Sequence, residues 1–426
     1  MTKRYISIVS STPILVFSVI CAVLTALWRK TESPILSLYE GNFHPLYHLQ
    51  MFQGAGAGFS SDPDIYSVAF SYPDGQQLSF IHPPFVMLAS KILGVGDLGA
   101  WEAVHTILGT LAVWWTIYLI WKRLGLPVPA QSATVLLPAA LWLDPVRFNF
   151  YYGELTVFTV ALVATDLWWK RPQRAAKWLP AGLLTGLAAA ITLRPLIFAV
   201  YFLLRKDTKA AAWMAGGFAV PTLIAAAAHP EMSWRYFTDY LFHLDSRVAL
   251  DQAQNLSLTS AVKRFAPEAS QQVLWLVLAA AVAAALVWAA KAFVAAGEDA
   301  MAYVCLALVP LLCGPVSLPY SWAWMLPALV VVFEFAVRTR DEWMLLVGLL
   351  YLAFTTVFVP HSQFKNMDRI VDRDRVLGDW VMSSVVWWGV FAVAVLAVWG
   401  YRQTEREPRR HANRPIARPN QTLESA

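Results

Sequence analysis

From Ile6 to Gly400 the chain is a succession of apolar runs separated by short polar stretches, and this pattern excludes an ordinary soluble domain. A helix needs roughly 20 apolar residues to span a bilayer. Only 14% of the residues are charged, where a soluble chain carries about a quarter. The 20 Trp and 15 Tyr suit a protein with long interfacial belts. The expectation is an all-α polytopic membrane protein, with one transmembrane domain over residues 1–400. Residues 401–426 are expected to form a polar, basic, disordered cytoplasmic tail. The three cysteines, Cys21, Cys305 and Cys313, fall in apolar runs and read as small core residues.

Basic residues close to the membrane orient the path. Lys3 and Arg4 precede the run 6–28, which has no small-residue cleavage site and is expected to be a retained helix starting in the cytoplasm. Residues 29–79 form a long polar loop. The apolar stretch that follows Pro83 and Pro84 is too short to cross, so it is placed as a re-entrant or surface segment. The runs 101–121, 156–169, 195–204, 272–290, 322–337 and 380–400 then end at Lys or Arg, whereas 132–142, 179–191, 210–228, 301–313 and 343–359 lead to the other side. This gives about twelve crossings, several of them short, with both termini cytoplasmic. The net charge of +5 is concentrated at membrane boundaries, so membrane lipids rather than nucleic acid are the expected contact.

Every unusual polar stretch then falls on the outer side of a plasma (inner) membrane. Foremost is 143–155, which carries Asp144, Arg147, Asn149, Tyr151, Tyr152, Gly153 and Glu154 between two short apolar segments. It reads either as a plain polar loop or as one wall of a site for an anionic, hydrogen-bonding ligand. Arg194 has no acid beside it in sequence and reads either as a snorkelling residue or as a phosphate ligand. Arg147 has the same two readings, with Asp144 as a structural partner. The loop 229–270 adds Asp245, Arg247, Asn255 and Arg264. No nucleotide-binding loop and no paired His or Cys metal spacing is present. Asp62-Pro63-Asp64 reads either as a turn, the favoured reading, or as an Asp-x-Asp pair that binds a divalent metal beside a sugar phosphate, and no metal or cofactor is expected. An external enzyme without a nucleotide site needs another activated donor, and a polyprenyl phosphate sugar suits that position.

These residues resemble a known family. Phe80-Ile81-His82-Pro83-Pro84 is similar to Phe-x-Tyr-Pro-Pro, and Pro145-Val146-Arg147 with Gly153-Glu154-Leu155-Thr156 is similar to Pro-Val-Arg with Gly-Gln-x-Asn. The stretch from Gly186 through Thr192-Leu193-Arg194-Pro195 resembles Gly-Leu-Ala-Ala-x-x-Lys-Leu-Thr-Pro. Asp245-Ser246-Arg247-Val248, Asn255-Leu256-Ser257-Leu258 with Arg264, and Gly314-Pro315-Val316-Ser317 with Trp324-Met325-Leu326-Pro327 follow in order. The family is that of the GT-C superfold membrane glycosyltransferases, in particular the actinobacterial polyprenyl-phosphomannose-dependent α-(1→2)-mannosyltransferases. The resemblance covers roughly residues 5–400.

The resemblance implies a GT-C-like fold and an enzyme that transfers a sugar, mannose foremost, by inversion from a polyprenyl phosphate to an envelope glycolipid or glycan. Rhamnose or arabinose transfer, or a non-catalytic donor-binding role, are the alternatives it leaves. The chemistry needs a base for the acceptor hydroxyl and cations for the departing phosphate. Where the family has an Asp in the first loop, this chain has Asn42 or Phe43, and the family's His pair is replaced by Tyr320 and Ser321. Glu40 and Glu154 are therefore the expected catalytic carboxylates. Arg147, Arg194, Arg247, Asn255, Arg264 and Tyr320 are expected to bind donor phosphate or substrate.

Overall fold

The computed structural model describes residues 2–28, 47–58, 65–66, 69–71, 77–243, 250, 254–356 and 375–412. Its helices are α1 (Thr2–Val9), α2 (Thr12–Trp28), α3 (Tyr47–Gly58), α4 (Pro84–Ser90), α5 (Leu98–Arg123), α6 (Pro129–Trp142), α7 (Asp144–Tyr152) and α8 (Thr156–Trp168). They continue as α9 (Gln173–Trp178), α10 (Leu183–Ile191), α11 (Phe198–Leu204), α12 (Thr208–Ala228), α13 (Pro230–Arg235), α14 (Leu258–Phe265) and α15 (Gln271–Ala295). The last are α16 (Asp299–Cys313), α17 (Met325–Thr339), α18 (Glu342–Thr356), α19 (Arg375–Met382) and α20 (Ser384–Ala412). One small hairpin interrupts the helical plan: β1 (Ala69–Ser71) pairs antiparallel with β2 (Gln77–Ser79), Phe70 opposite Leu78.

The bundle is organised around α16. From Ala300 to Leu312 every residue but Pro310 is buried. A helix apolar on all sides belongs in the middle of a bundle, out of reach of lipid. Helices α11, α15, α17 and α20 pack around it, with Phe198, Phe293, Trp324, Phe335 and Trp399 filling the layer between. Tyr303, completely buried, donates to the carbonyl oxygen of Trp324 at 3.0 Å, so its hydroxyl is not left unmet in the core. In contrast, α12 and α15 turn Val220, Leu223, Val273 and Val277 outward. Such apolar surface is stable only against lipid.

Among the described residues, five helical stretches are long and apolar enough to cross a membrane: Leu98–Arg123, Thr208–Ala228, Glu268–Ala295, Pro319–Thr339 and Ser384–Glu405. Five shorter apolar stretches accompany them: Thr12–Ala26, Thr156–Trp168, Arg194–Leu204, Asp299–Cys313 and Glu342–Thr356. The protein is thus a helical membrane protein with several short elements.

Three expectations are corrected by the backbone. The run 6–28 is not one helix: it breaks at Ser10 and Ser11, just before Pro13, whose missing N–H and fixed φ favour the first turn of a new helix. The stretch 143–155 is not a loop. It holds a nine-residue helix that closes on Gly153 at φ 72°, a left-handed position that favours glycine. The tail expected from residue 401 is helical to Ala412 as a continuation of α20. As anticipated, the segment after Pro83 is a seven-residue helix, too short to cross.

Candidate active site

The Gly153 turn is what places Glu154. The amide of Glu154 donates to the carbonyl oxygen of Asn149 at 2.7 Å, so the chain reverses at once and the carboxylate points into the protein. Asn149 locks this corner: its amide donates to Pro145 and Tyr320 carbonyls, and its Oδ1 accepts from the amide of Val157. One fully buried side chain thereby joins α7, α8 and the 3-10 turn Pro319–Trp324.

Two further segments converge on the same carboxylate. Helix α3 brings His48, whose Nδ1 lies 2.6 Å from Glu154 Oε1. The bend between β2 and α4 brings His82, whose Nε2 lies 3.6 Å from the same oxygen. Helices α3 and α4 meet closely because residue 56 is glycine; a Cβ there would collide with the carbonyl of Ser90. His82 is held from behind, its carbonyl accepting from the Tyr66 hydroxyl at 2.8 Å, with Phe52 and Phe80 set edge-on to its ring. The Nε2 of His105 on α5 lies 2.9 Å from the Glu154 carbonyl, and Glu154 Oε2 accepts from the Leu155 amide at 2.8 Å.

Glu154 is only 1% exposed. Burial alone would raise its carboxyl, but His48 and His82 outweigh that and hold it well below the usual carboxylate range. Tyr320 stands edge-on to His48 with ring centres 5.4 Å apart, and its phenol is turned toward Glu154. Arg194 enters from the 3-10 turn Arg194–Ile197, in electrostatic reach of Glu154, Tyr320 and Tyr236. The ligand-type atoms of His48, His82 and Glu154 all lie within 4.8 Å of one another, close enough for a divalent ion to gather them. The 2.6 Å spacing of His48 and Glu154 is itself that of a charge-assisted hydrogen bond.

The structure therefore brings together Glu154, Arg194 and Tyr320 of the residues expected from sequence. Three others are engaged elsewhere. Arg147, 7% exposed, pairs within its own helix with Asp144 at 2.6 Å. Asn255 pins two loops: its amide donates to the Leu250 and Pro315 carbonyls and its Oδ1 accepts from Ser317 N. Arg264 donates to Ser383 Oγ, between α19 and α20. Glu40 and Arg247 lie outside the described residues, as do Asp62 and Asp64. Sequence reasoning missed His48, His82 as a side chain facing Glu154, and His105, and it placed Asn149 in the central stretch without its locking role. A signal was available for the histidines, because a Glu where the resembling family has Gln must find a cationic or hydrogen-bonding partner if it is buried.

The opposite end of the bundle has a different character. Asp299 pairs with Arg123 and Arg205, Glu298 and Glu334 pair with Arg338, and Asp166 holds Arg171 while accepting from Thr185. His105 and Arg123 share α5, and 1.5 Å per residue sets the two ends about 27 Å apart.

Fold and site together define a polytopic helical membrane protein with a buried acid–histidine–arginine cluster at one end of its bundle. The chain belongs to glycosyltransferase family 87, whose model matches residues 80–315. It is 31% identical over 370 residues to the polyprenol-phosphate-mannose-dependent alpha-(1-2)-phosphatidylinositol mannoside mannosyltransferase of Mycobacterium tuberculosis, covering 82% of this chain and 83% of that protein. The corresponding protein of Mycolicibacterium smegmatis is 30% identical over 372 residues, 82% of each chain. A phosphatidylinositol pentamannoside mannosyltransferase of Mycobacterium tuberculosis is 28% identical over 356 residues, 79% of this chain and 77% of that one. No solved structure matches the chain.

Proposed function

We propose that this protein transfers mannose from polyprenyl phosphate mannose to a phosphatidylinositol mannoside or similar envelope glycolipid, forming an α-(1→2) linkage. The observation that carries the reading is the convergence of Arg194, Tyr320 and the Glu154–histidine cluster in one buried polar site. Transfer by a single displacement needs a proton acceptor near the acceptor hydroxyl and a cation near the leaving phosphate. Arg194 supplies the cation, and a guanidinium suits a phosphate. Tyr320 adds a hydrogen-bond donor beside it. Arg147, Asn255 and Arg264 shape the walls through the contacts described above. Glu40 and Arg247, outside the described residues, are proposed to complete the site. The names of the relatives favour mannose over rhamnose or arabinose.

The site lies on the outer face of the plasma membrane in this reading, with both termini cytoplasmic and about twelve crossings within a single domain over residues 1–400. The segregation of the paired arginines Arg123 and Arg205 to the far end of α5 supports this orientation. Linkage analysis of the envelope glycolipids of a deletion strain tests the function. Loss of 2-linked mannose with accumulation of the shorter glycolipid is expected, and an unchanged linkage profile would contradict it.

A further inference from the structure

The mechanism needs a group to take the acceptor's proton, and Glu154 is poorly placed to be that group. Its Oε1 is bonded to His48 and its Oε2 accepts from the Leu155 amide. A carboxylate whose two oxygens are already hydrogen-bonded is a weak proton acceptor. His48 has the complementary situation. Bonding of Nδ1–H to Glu154 fixes the ring tautomer and leaves the lone pair on Nε2, which takes no hydrogen bond among the described residues. A carboxylate that orients an imidazole and stabilises the imidazolium is an established way to build a base.

Resting on the transferase reading above, we infer that His48 is the catalytic base and Glu154 its positioning carboxylate. His48 Nε2 takes the proton of the acceptor hydroxyl as that oxygen bonds to the anomeric carbon. The bond from that carbon to the donor phosphate oxygen breaks, and its electron pair leaves with the polyprenyl phosphate. The imidazolium formed, bonded to Glu154, later releases its proton to solvent. The groups facing His48 are consistent with this role. Glu154 and Tyr152 come from the α7–α8 corner, His82 from the segment before α4, Tyr320 from the 319–324 turn and Phe52 from α3 itself. Arg194 lies in electrostatic range of Glu154 and Tyr320 and donates to the Val316 carbonyl oxygen, so a cation for the phosphate and a base for the acceptor are separate groups. His82 Nε2, nine-tenths buried and without a hydrogen-bond partner among the described residues, points at the same carboxylate and gives it a second cationic neighbour when protonated.

The test uses full-length protein in lipid nanodiscs, a short-chain polyprenyl phosphate mannose as donor and phosphatidylinositol mannoside as acceptor. His48→Gly is expected to lose transfer by about 100-fold or more, the scale of general base catalysis, while donor binding stays within twofold. Added imidazoles should restore turnover, with rates that rise with their basicity, which a structural role for His48 would not produce. Glu154→Gln should lower kcat at least tenfold with donor KM unchanged. Wild-type rates in His48→Gly, or donor binding intact with no imidazole rescue, would overturn the assignment. Transfer abolished by chelation and restored by a divalent cation, with bound metal lost in His82→Ala, would overturn it in favour of a metal centre. If the wild type transfers nothing from this donor, the transferase reading itself falls and the base assignment with it.

Discussion

Arg194 donates to the carbonyl oxygen of Val316 at 3.1 Å, tying the turn that opens at residue 194 to the segment that Asn255 also holds through Pro315 and Ser317. Among the described residues this is the one hydrogen bond of a guanidinium with five N–H donors, and Glu154 and Tyr320 lie within its electrostatic range. Loss of a charged hydrogen-bonding partner costs about 1.5–3 kcal/mol. Arg194→Ala should therefore weaken binding of a polyprenyl phosphate sugar at least tenfold, measured by equilibrium binding in nanodiscs. Arg194→Lys should recover only part of that loss, because a point charge lacks the planar fork. Unchanged donor affinity in a well-expressed Arg194→Ala protein would make the residue a structural tie.

Arg147 illustrates where a sequence motif and its physical role part. Its charge is met by Asp144, and both side chains are buried. Removing one partner of a buried pair is expected to destabilise by about 3–5 kcal/mol, whereas replacing both by apolar residues often restores stability. Asp144→Leu should lower the thermal unfolding midpoint sharply, and Asp144→Leu with Arg147→Leu should recover most of it. Equal loss in the single and double variants would show that Arg147 has work beyond the pair.

Much of the fold was legible because the bilayer imposes one rule: apolar runs become helices and basic residues mark their ends. Arg123, Arg205 and Arg338 ended helices as expected. The subdivisions were not legible. Gly182, at φ 94°, delays α10, and the turns 194–197 and 319–324 are short 3-10 pieces rather than α-helix. In the site, Glu154 and Arg194 stood out because a charge in an apolar context needs a reason. His48 did not, because it lies 106 positions from its partner and only packing of α3 against α4 and α7 brings them together.

That packing depends on one glycine. Gly56 lets α3 approach the backbone of Ser90, and a side chain there has no room. Gly56→Val should separate α3 from α4, withdraw His48 and His82 from Glu154, and lower transfer at least tenfold without any change to a polar residue. Gly54→Ala, which would meet only the Phe70 ring edge, is the comparison and should stay close to wild type. Equal activities in the two variants would show that the α3–α4 approach does not set the site.

Orientation is open to a direct chemical test. In a background with Cys21, Cys305 and Cys313 replaced by Ala, a cysteine at exposed Ala269 should react with an impermeant maleimide in intact cells. One at exposed Ala176, beside Arg174 and Lys177, should react only after permeabilisation. Ser260, on the neighbouring helix α14, is fully buried and unsuited to labelling. Labelling at 176 but not at 269 in intact cells would invert the path and move the site to the cytoplasmic face.

The most direct test of the transferase assignment is an assay with purified full-length protein, radiolabelled polyprenyl phosphate mannose and phosphatidylinositol mannoside acceptors in nanodiscs. A product one mannose longer, from which an α-(1→2)-specific mannosidase frees the added mannose, and formed at least tenfold more slowly by Arg194→Ala at sub-saturating donor, is the predicted result. Bound but untransferred donor under every acceptor condition would contradict the assignment and leave a donor-binding protein of the same fold.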